Sequence, residues 1–176
     1  VLGKILSKVG GKPLATLLRQ QVLRPMGLTR TVSSQTSQIP SPVLHSFSSE
    51  RRGFFAIPTN QRFYEESTSW NSAWGTPVGA TQTTDVYDLI RSADSIGSGS
   101  LLSRSSYRKM TGPHLLGFGK PQDNCVPECF TQVRGYNYGI GIVRSGQWLL
   151  QNPLLGGYSA AMATLPRRRI SIADIP

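Results

Sequence analysis

The sequence predicts an α+β (α/β) protein: a mainly helical part over residues 1–112, a loop over 113–135 and antiparallel strands over 136–174. Two observations carry this. Apolar residues recur at helical spacing near the start of the chain and again after residue 83. The last forty or so residues form a Gly-punctuated hairpin series of short β-prone runs, Tyr138–Val143, Trp148–Pro153, Gly157–Pro166 and Ile170–Ala173, with turns between them.

Over residues 1–9, Leu2, Ile5, Leu6 and Val9 fall on one helical face, and Gly10-Gly11 supplies the stop. Pro13 then opens a second helix at the position where a missing N–H costs nothing, with Leu14, Leu17, Leu18 and Val22 as its buried stripe and Arg24-Pro25 as its end. Regular periodicity is lost across a long loop, 32–80, rich in Ser, Thr and Pro. Its aromatic residues, Phe47, Phe54, Phe55, Phe63, Tyr64, Trp70 and Trp74, are expected to fill a core rather than to touch a ligand. Thr83-Thr84-Asp85 starts a helix whose apolar face is Val86, Leu89, Ile90 and Ala93. Ser103 caps a shorter one that runs through Met110 and stops at Gly112-Pro113.

The 176 residues suit one partial domain, and 38% hydrophobic against 16% charged residues argues against a wholly disordered chain. No apolar run approaches the length of a membrane-spanning helix, and no signal-peptide pattern opens the chain. Val1 lies inside what reads as an uncapped helix, so sequence upstream of it is expected to be missing. The net charge of +10 attracts anionic partners without naming one. The basic residues are scattered, with clusters at Arg51-Arg52 and Arg167-Arg168-Arg169. No stripe of alternating aromatic and basic residues appears, so a solvated basic surface is expected and nucleic-acid binding is not.

Cys125 and Cys129 flank Val126-Pro127-Glu128 and are candidates for a local disulfide in an oxidising compartment, with free thiols as the alternative. His45 and His114 show no ligand spacing, so neither a metal nor a cofactor is expected. The pairs Gly97-x-Gly99, Gly117-x-Gly119 and Gly139-x-Gly141 lack the third glycine and the context of a phosphate cradle. Asp85 and Asp88 read as helix-start carboxylates.

A more specific reading comes from ordered short segments. Leu2-Gly3-x-Ile5-x-x-Lys8-Val9-x-Gly11-Lys12-x-Leu14 is followed by Val22-Leu23-Arg24-Pro25-Met26-Gly27-Leu28-Thr29-Arg30-Thr31. Then come Gly79-Ala80-Thr81-Gln82-Thr83-Thr84-Asp85-x-x-Asp88-Leu89, Gly99-Ser100-Leu101-Leu102-Ser103, Tyr138-Gly139-x-Gly141 and Gly156-Gly157-Tyr158-Ser159. In this order they resemble the C-terminal portion of the serine β-lactamase and penicillin-binding-protein-like hydrolases, the class C β-lactamase and D-alanyl-D-alanine carboxypeptidase group. Met26 and Leu28 are exchanged relative to the group's pattern.

The resemblance implies a partial β-lactamase/transpeptidase-like fold and acyl-transfer chemistry. A serine in Ser-x-x-Lys attacks the carbonyl, that lysine and a Tyr-x-Asn tyrosine move protons, and a strand-edge triplet seats the substrate. Neither of the first two motifs stands in its expected place. Ser106-Tyr107-Arg108-Lys109 spells the first, but on the helix after Gly-x-Leu-Leu-Ser, where both ends are expected at the surface. No catalytic residue is therefore assigned to this chain.

Counting back from Gly157 and Tyr158 places Gln151, Asn152 and Pro153 at the third-motif position, where the group carries Lys-Thr-Gly or His-x-Gly. Gln151 brings a donor without charge, and Pro153 removes an N–H from the strand edge; a simple Asn-Pro strand terminator is the alternative. The expectation is a C-terminal fragment of a serine hydrolase for peptide, ester or β-lactam substrates, inactive alone. By the same resemblance its partners are a cell-wall peptide or a β-lactam-like small molecule, and its place is the cell envelope or outside the cell. The alternatives are a non-catalytic basic cell-envelope binder or a decayed remnant.

Overall fold

The computed structural model describes residues 1–34, 36–77, 79–125 and 129–175. Backbone packing divides them into two compact units, Val1–Asp88 with Pro153–Ala160, and Leu89–Asn152 with Ala161–Ile175.

In the first unit, α1 (Leu2–Gly10) ends at Gly11, which takes the left-handed conformation at φ 63°. Its apolar face is in water: Leu2, Ile5, Leu6 and Val9 are all exposed. α2 (Leu14–Leu18) follows Pro13 as expected and then widens into a π turn, Arg19–Leu23. The wider turn inserts one residue into the stripe. Leu14, Leu17, Leu23 and Leu28 are buried, whereas Leu18 and Val22, expected inside, are half-buried.

The long loop that follows contains only two-residue strands and single 3₁₀ turns. β1 (Val32–Ser33) pairs antiparallel with β4 (Gln82–Thr83), and β2 (Phe47–Ser48) with β3 (Glu65–Glu66). The core role expected for its aromatic residues is not observed: Phe47, Phe54, Phe55, Tyr64 and Trp74 are exposed, and only Phe63 and Trp70 are half-buried. Too few paired strands underlie them to offer a covering layer.

α3 (Val86–Ser98) begins in this unit and continues into the second. Asp85 starts it, its Oδ1 accepting the Asp88 N–H at 2.9 Å while Oδ2 accepts from Arg30 Nη1 at 2.9 Å. Burial would raise the Asp85 pKa, but these hydrogen bonds and the Arg30 charge outweigh it and hold the carboxyl below its ordinary value. Asp88 is fully buried, its Oδ2 accepting from the Arg30 backbone N–H at 2.7 Å and the Thr31 hydroxyl at 2.9 Å.

In the second unit the buried face of α3 is Leu89, Ala93 and Gly97; Ile90, expected inward, is 39% exposed, as is Val86, at 38%, in the first unit. Gly97 packs so closely on Thr164 that a Cβ there would stand 2.3 Å from its hydroxyl oxygen. α4 (Arg104–Thr111) is capped by Ser103, whose Oγ accepts the Ser106 N–H at 3.1 Å. Tyr107 on this helix donates its hydroxyl to the Gly97 carbonyl at 2.8 Å, and burial raises its pKa.

The sheet contains β5 (Tyr136–Tyr138), β6 (Val143–Ser145), β7 (Trp148–Gln151), β10 (Ala161–Leu165) and β11 (Ile170–Asp174), antiparallel in the order β11-β10-β7-β6-β5. Ile142, Val143, Leu149 and Thr164 bury its inner face. Two expected runs are corrected. Within Tyr138–Val143, residues 139–142 are the connection between β5 and β6, because Gly141 turns at φ 74° and the Ile140 N–H bonds to the Met110 carbonyl instead of a strand. Gly157–Pro166 is broken at Ala160, before β10.

Candidate substrate-edge site

The triplet expected at the third-motif position, Gln151-Asn152-Pro153, begins at the last residue of β7. Gln151 pairs with Met162 in β10, but β6 ends opposite Leu150, so one side of Gln151 is without a strand partner. Its side-chain Nε2 donates instead to the Gly141 carbonyl in the β5–β6 connection at 2.7 Å. Asn152 is exposed, and the division between the two units falls between it and Pro153. Proline is tolerated there because the strand has ended and no ladder N–H is lost.

Pro153 begins a small hairpin of β8 (Leu154–Leu155) and β9 (Tyr158–Ser159) within the first unit. Its carbonyl accepts the Ala160 N–H at 3.1 Å and closes the base. At the tip, the Gly156 carbonyl accepts the Ser67 hydroxyl in a close hydrogen bond, and that of Ser46 at 3.4 Å; the two hydroxyls lie 2.9 Å apart. Both serines are buried. The Tyr158 hydroxyl donates to the Leu44 carbonyl at 2.8 Å. Gly157, at φ 87°, sits against the next strand, where a Cβ would stand 2.3 Å from the Phe47 carbonyl oxygen. Thus Gly157 and Tyr158 are held by the loop segment 44–67, and Leu154 and Leu155 present their side chains to water.

Two carboxylates on this part of the first unit, Glu65 and Glu66, are paired with Arg51 and His45. Arg51 grips Glu65 through Nε to Oε1 at 2.7 Å and a second, closer Nη2–Oε2 contact. The Arg51 hydrogen bond lowers the Glu65 pKa against a smaller burial effect, and the pairing raises that of Arg51. Arg51 also lies over the rings of Phe55, at 5.2 Å, and Trp70, at 5.1 Å. Hydrogen bonds from His45 and Thr68 lower the pKa of Glu66. A cavity of about 280 Å³ elsewhere in this unit, lined by Thr16, Arg19, Leu23, Thr31 and Ser33 among others, shares no residue with 151–158.

Ser106 stands in the first turn of α4, exposed, with its hydroxyl accepting from Ser103 Oγ at 3.1 Å. It belongs to the cap, and Lys109 one turn further is exposed. His114 Nε2 contacts the Lys109 carbonyl at 2.6 Å. Cys125 and Cys129 are joined as a disulfide with Cα atoms 5.3 Å apart, and the intervening Val126-Pro127-Glu128 lies outside the described residues. Among the described residues no group of three or more His, Cys, Asp or Glu side chains could hold a metal ion. No helix among them is long and apolar enough to cross a membrane.

The sequence alone pointed to Gln151, Asn152, Pro153, Gly157 and Tyr158 but not to Ser46 and Ser67, which anchor Gly156 from 110 and 89 residues away. Nothing local to two serines in a Ser-rich loop marks them.

The Beta-lactamase family model matches residues 1–173, and the chain belongs to that family. Among solved structures it is similar to a D-stereospecific amidohydrolase from a Streptomyces species, with a TM-score of 0.73 and 18% identity over 97% of this chain and 46% of that one. It is similar also to an octameric penicillin-binding protein homologue from Pyrococcus abyssi, with a TM-score of 0.68 and 18% identity over 98% of this chain and 35% of that one. The hydrolase EstCE1, which has promiscuous acyltransferase activity, matches with a TM-score of 0.58 and 20% identity over 99% of this chain and 48% of that one. At such identities the likeness is one of fold. The chain spans less than half the length of each of these proteins. No curated protein matches it significantly in sequence.

Proposed function

We propose that this chain is the substrate-edge portion of a serine acyl-transfer hydrolase acting on a peptide, ester or β-lactam of the cell envelope, and that it forms no acyl-enzyme by itself. The observation that carries the reading is Gln151 at the free end of β7, its carboxamide fixed by the Gly141 carbonyl. A fixed carboxamide can still donate its second N–H to a substrate carbonyl or carboxylate without supplying charge. Asn152 beside it adds a second amide, exposed. Family membership supports the reaction class, and the names of matched proteins, an amidohydrolase, a D-amino acid amidase and an acyl-transferring hydrolase, point to amide and ester carbonyls.

The 176 residues contain one Ser-x-x-Lys, and its serine serves a helix cap in water. A nucleophilic serine needs a base that takes its proton, and no titratable side chain is bonded to the Ser106 hydroxyl among the described residues. A burst assay with nitrocefin and with a p-nitrophenyl ester tests this. No stoichiometric release above the buffer rate is expected; a burst that disappears in Ser106→Ala would overturn it.

A further inference from the structure

Residues 51–64 hold three arginines, Arg51, Arg52 and Arg62, and four aromatic residues, Phe54, Phe55, Phe63 and Tyr64; Glu50 precedes the segment and Glu65-Glu66 follow it. The loop they form is internally braced. Arg52 Nη1 donates to the Pro58 and Gln61 carbonyls, each at 2.6 Å, and backbone bonds close Phe55 onto Arg51 and Ile57 onto Arg52. Phe54 meets Phe55 edge to face at 5.1 Å, and Phe55 stands 5.9 Å from Phe63. Ala56 holds a left-handed φ of 51°, a conformation that costs a residue with a Cβ some strain.

This brace does not turn the rings inward. Phe54 is 81% exposed, Tyr64 62% and Phe55 45%. A braced loop that keeps phenylalanines in water recovers the hydrophobic cost only when another phase covers them, and it loses little conformational entropy on doing so. The arginines decide which phase. Arg51 is occupied by Glu65, but Arg52 lies over the Phe63 ring at 5.7 Å and Arg62 over Tyr64 at 5.8 Å, placing cations beside the apolar tip. Aromatic residues flanked by arginines suit a bilayer interface, where acyl chains lie beneath anionic phosphates. The net charge of +10 adds attraction of the same sign.

We propose that the 51–64 loop docks this chain peripherally on an anionic lipid bilayer, with Phe54 and Phe55 entering the interface and the exposed Arg62 facing the phosphates. Docking needs no catalytic residue and stands apart from the function proposed above.

The test is sedimentation of the full 176-residue chain with vesicles of phosphatidylglycerol and phosphatidylcholine, against phosphatidylcholine alone. Binding to the anionic vesicles is expected, weakening as salt rises. The double variant Phe54→Ser/Phe55→Ser should bind at least about tenfold more weakly, and Arg62→Gln about fivefold. Phe54→Trp keeps the aromatic tip and reports its depth: its added emission should shift to the blue on anionic vesicles and be quenched by brominated lipid. Undiminished binding by the double serine variant, or an unshifted Phe54→Trp emission on bound vesicles, would overturn the proposal. So would retention on isolated anionic wall polymer without any vesicle binding.

Discussion

The Gln151 side-chain amide donates to the Gly141 carbonyl at 2.7 Å, tying the end of β7 to the turn between β5 and β6. A residue three positions before β8 thereby fixes the direction of the strand edge proposed to meet the substrate. Gln151→Ala should cost about 0.5–1 kcal/mol in urea unfolding, the net value of one partly exposed hydrogen bond. Asn152→Ala, changing an exposed side chain, should stay within about 0.5 kcal/mol of the parent. Equal losses at both positions would show that the Gly141 contact does not hold the edge.

Gly157→Ala should be far more damaging than Gly146→Ala. Both glycines have positive φ, 87° and 59°. A Cβ at Gly157 would stand 2.3 Å from the Phe47 carbonyl oxygen, whereas nothing lies within 4 Å of one at Gly146. The turn glycine should lose about 1 kcal/mol from backbone strain alone. Gly157→Ala adds an overlap that only backbone movement relieves and should lose about 3 kcal/mol or more. Urea midpoints of the two variants read the difference.

Asp88→Ala removes the acceptor of the Arg30 backbone N–H and of the Thr31 hydroxyl at a fully buried site. Leaving such donors unpaired should cost about 2–3 kcal/mol. Asp85→Ala loses the bond from the Asp88 N–H that starts α3 and should cost about 1 kcal/mol. If thermal unfolding ranks them the other way, the buried acceptor is not what holds 30–31 to the helix start.

Stability should fall on acidification. Hydrogen bonds from Arg51 lower the Glu65 pKa, and those from His45 and Thr68 lower that of Glu66. At Asp85 burial pushes upward but is outweighed by the Asp88 N–H and Arg30. Each carboxyl binds its proton less readily folded than unfolded, so its contribution is present above the unfolded value of about 4 and lost below it, as pH falls through the folded value. Melting temperature should hold between about pH 7 and pH 5 and drop towards pH 3, and Glu65→Gln should flatten that drop. A melting temperature that rises on acidification would contradict these assignments.

How far the sequence disclosed this structure depends on whether the deciding contact is local. Ser103 and Asp85 were legible as helix starts because a cap acts over three residues. The π turn at Arg19–Leu23 was not, since its inserted residue has no signature of composition, and it moved burial from Val22 to Leu23. Tyr138–Val143 misled because β-prone side chains conceal that Gly141 turns the chain and that Ile140 bonds to Met110. In the candidate site, the family's pattern gave Gln151 through Pro153 and Gly157-Tyr158. The clasp on Gly156 by Ser46 and Ser67 is a contact across about half the chain, which no local pattern encodes.

The most direct test of the acyl-transfer reading is intact-mass analysis of the chain after prolonged incubation with benzylpenicillin and, separately, a fluorophosphonate. An unchanged mass is expected with both reagents, because Ser106 is engaged in the cap of α4. A stoichiometric adduct mapped to Ser106 would contradict it.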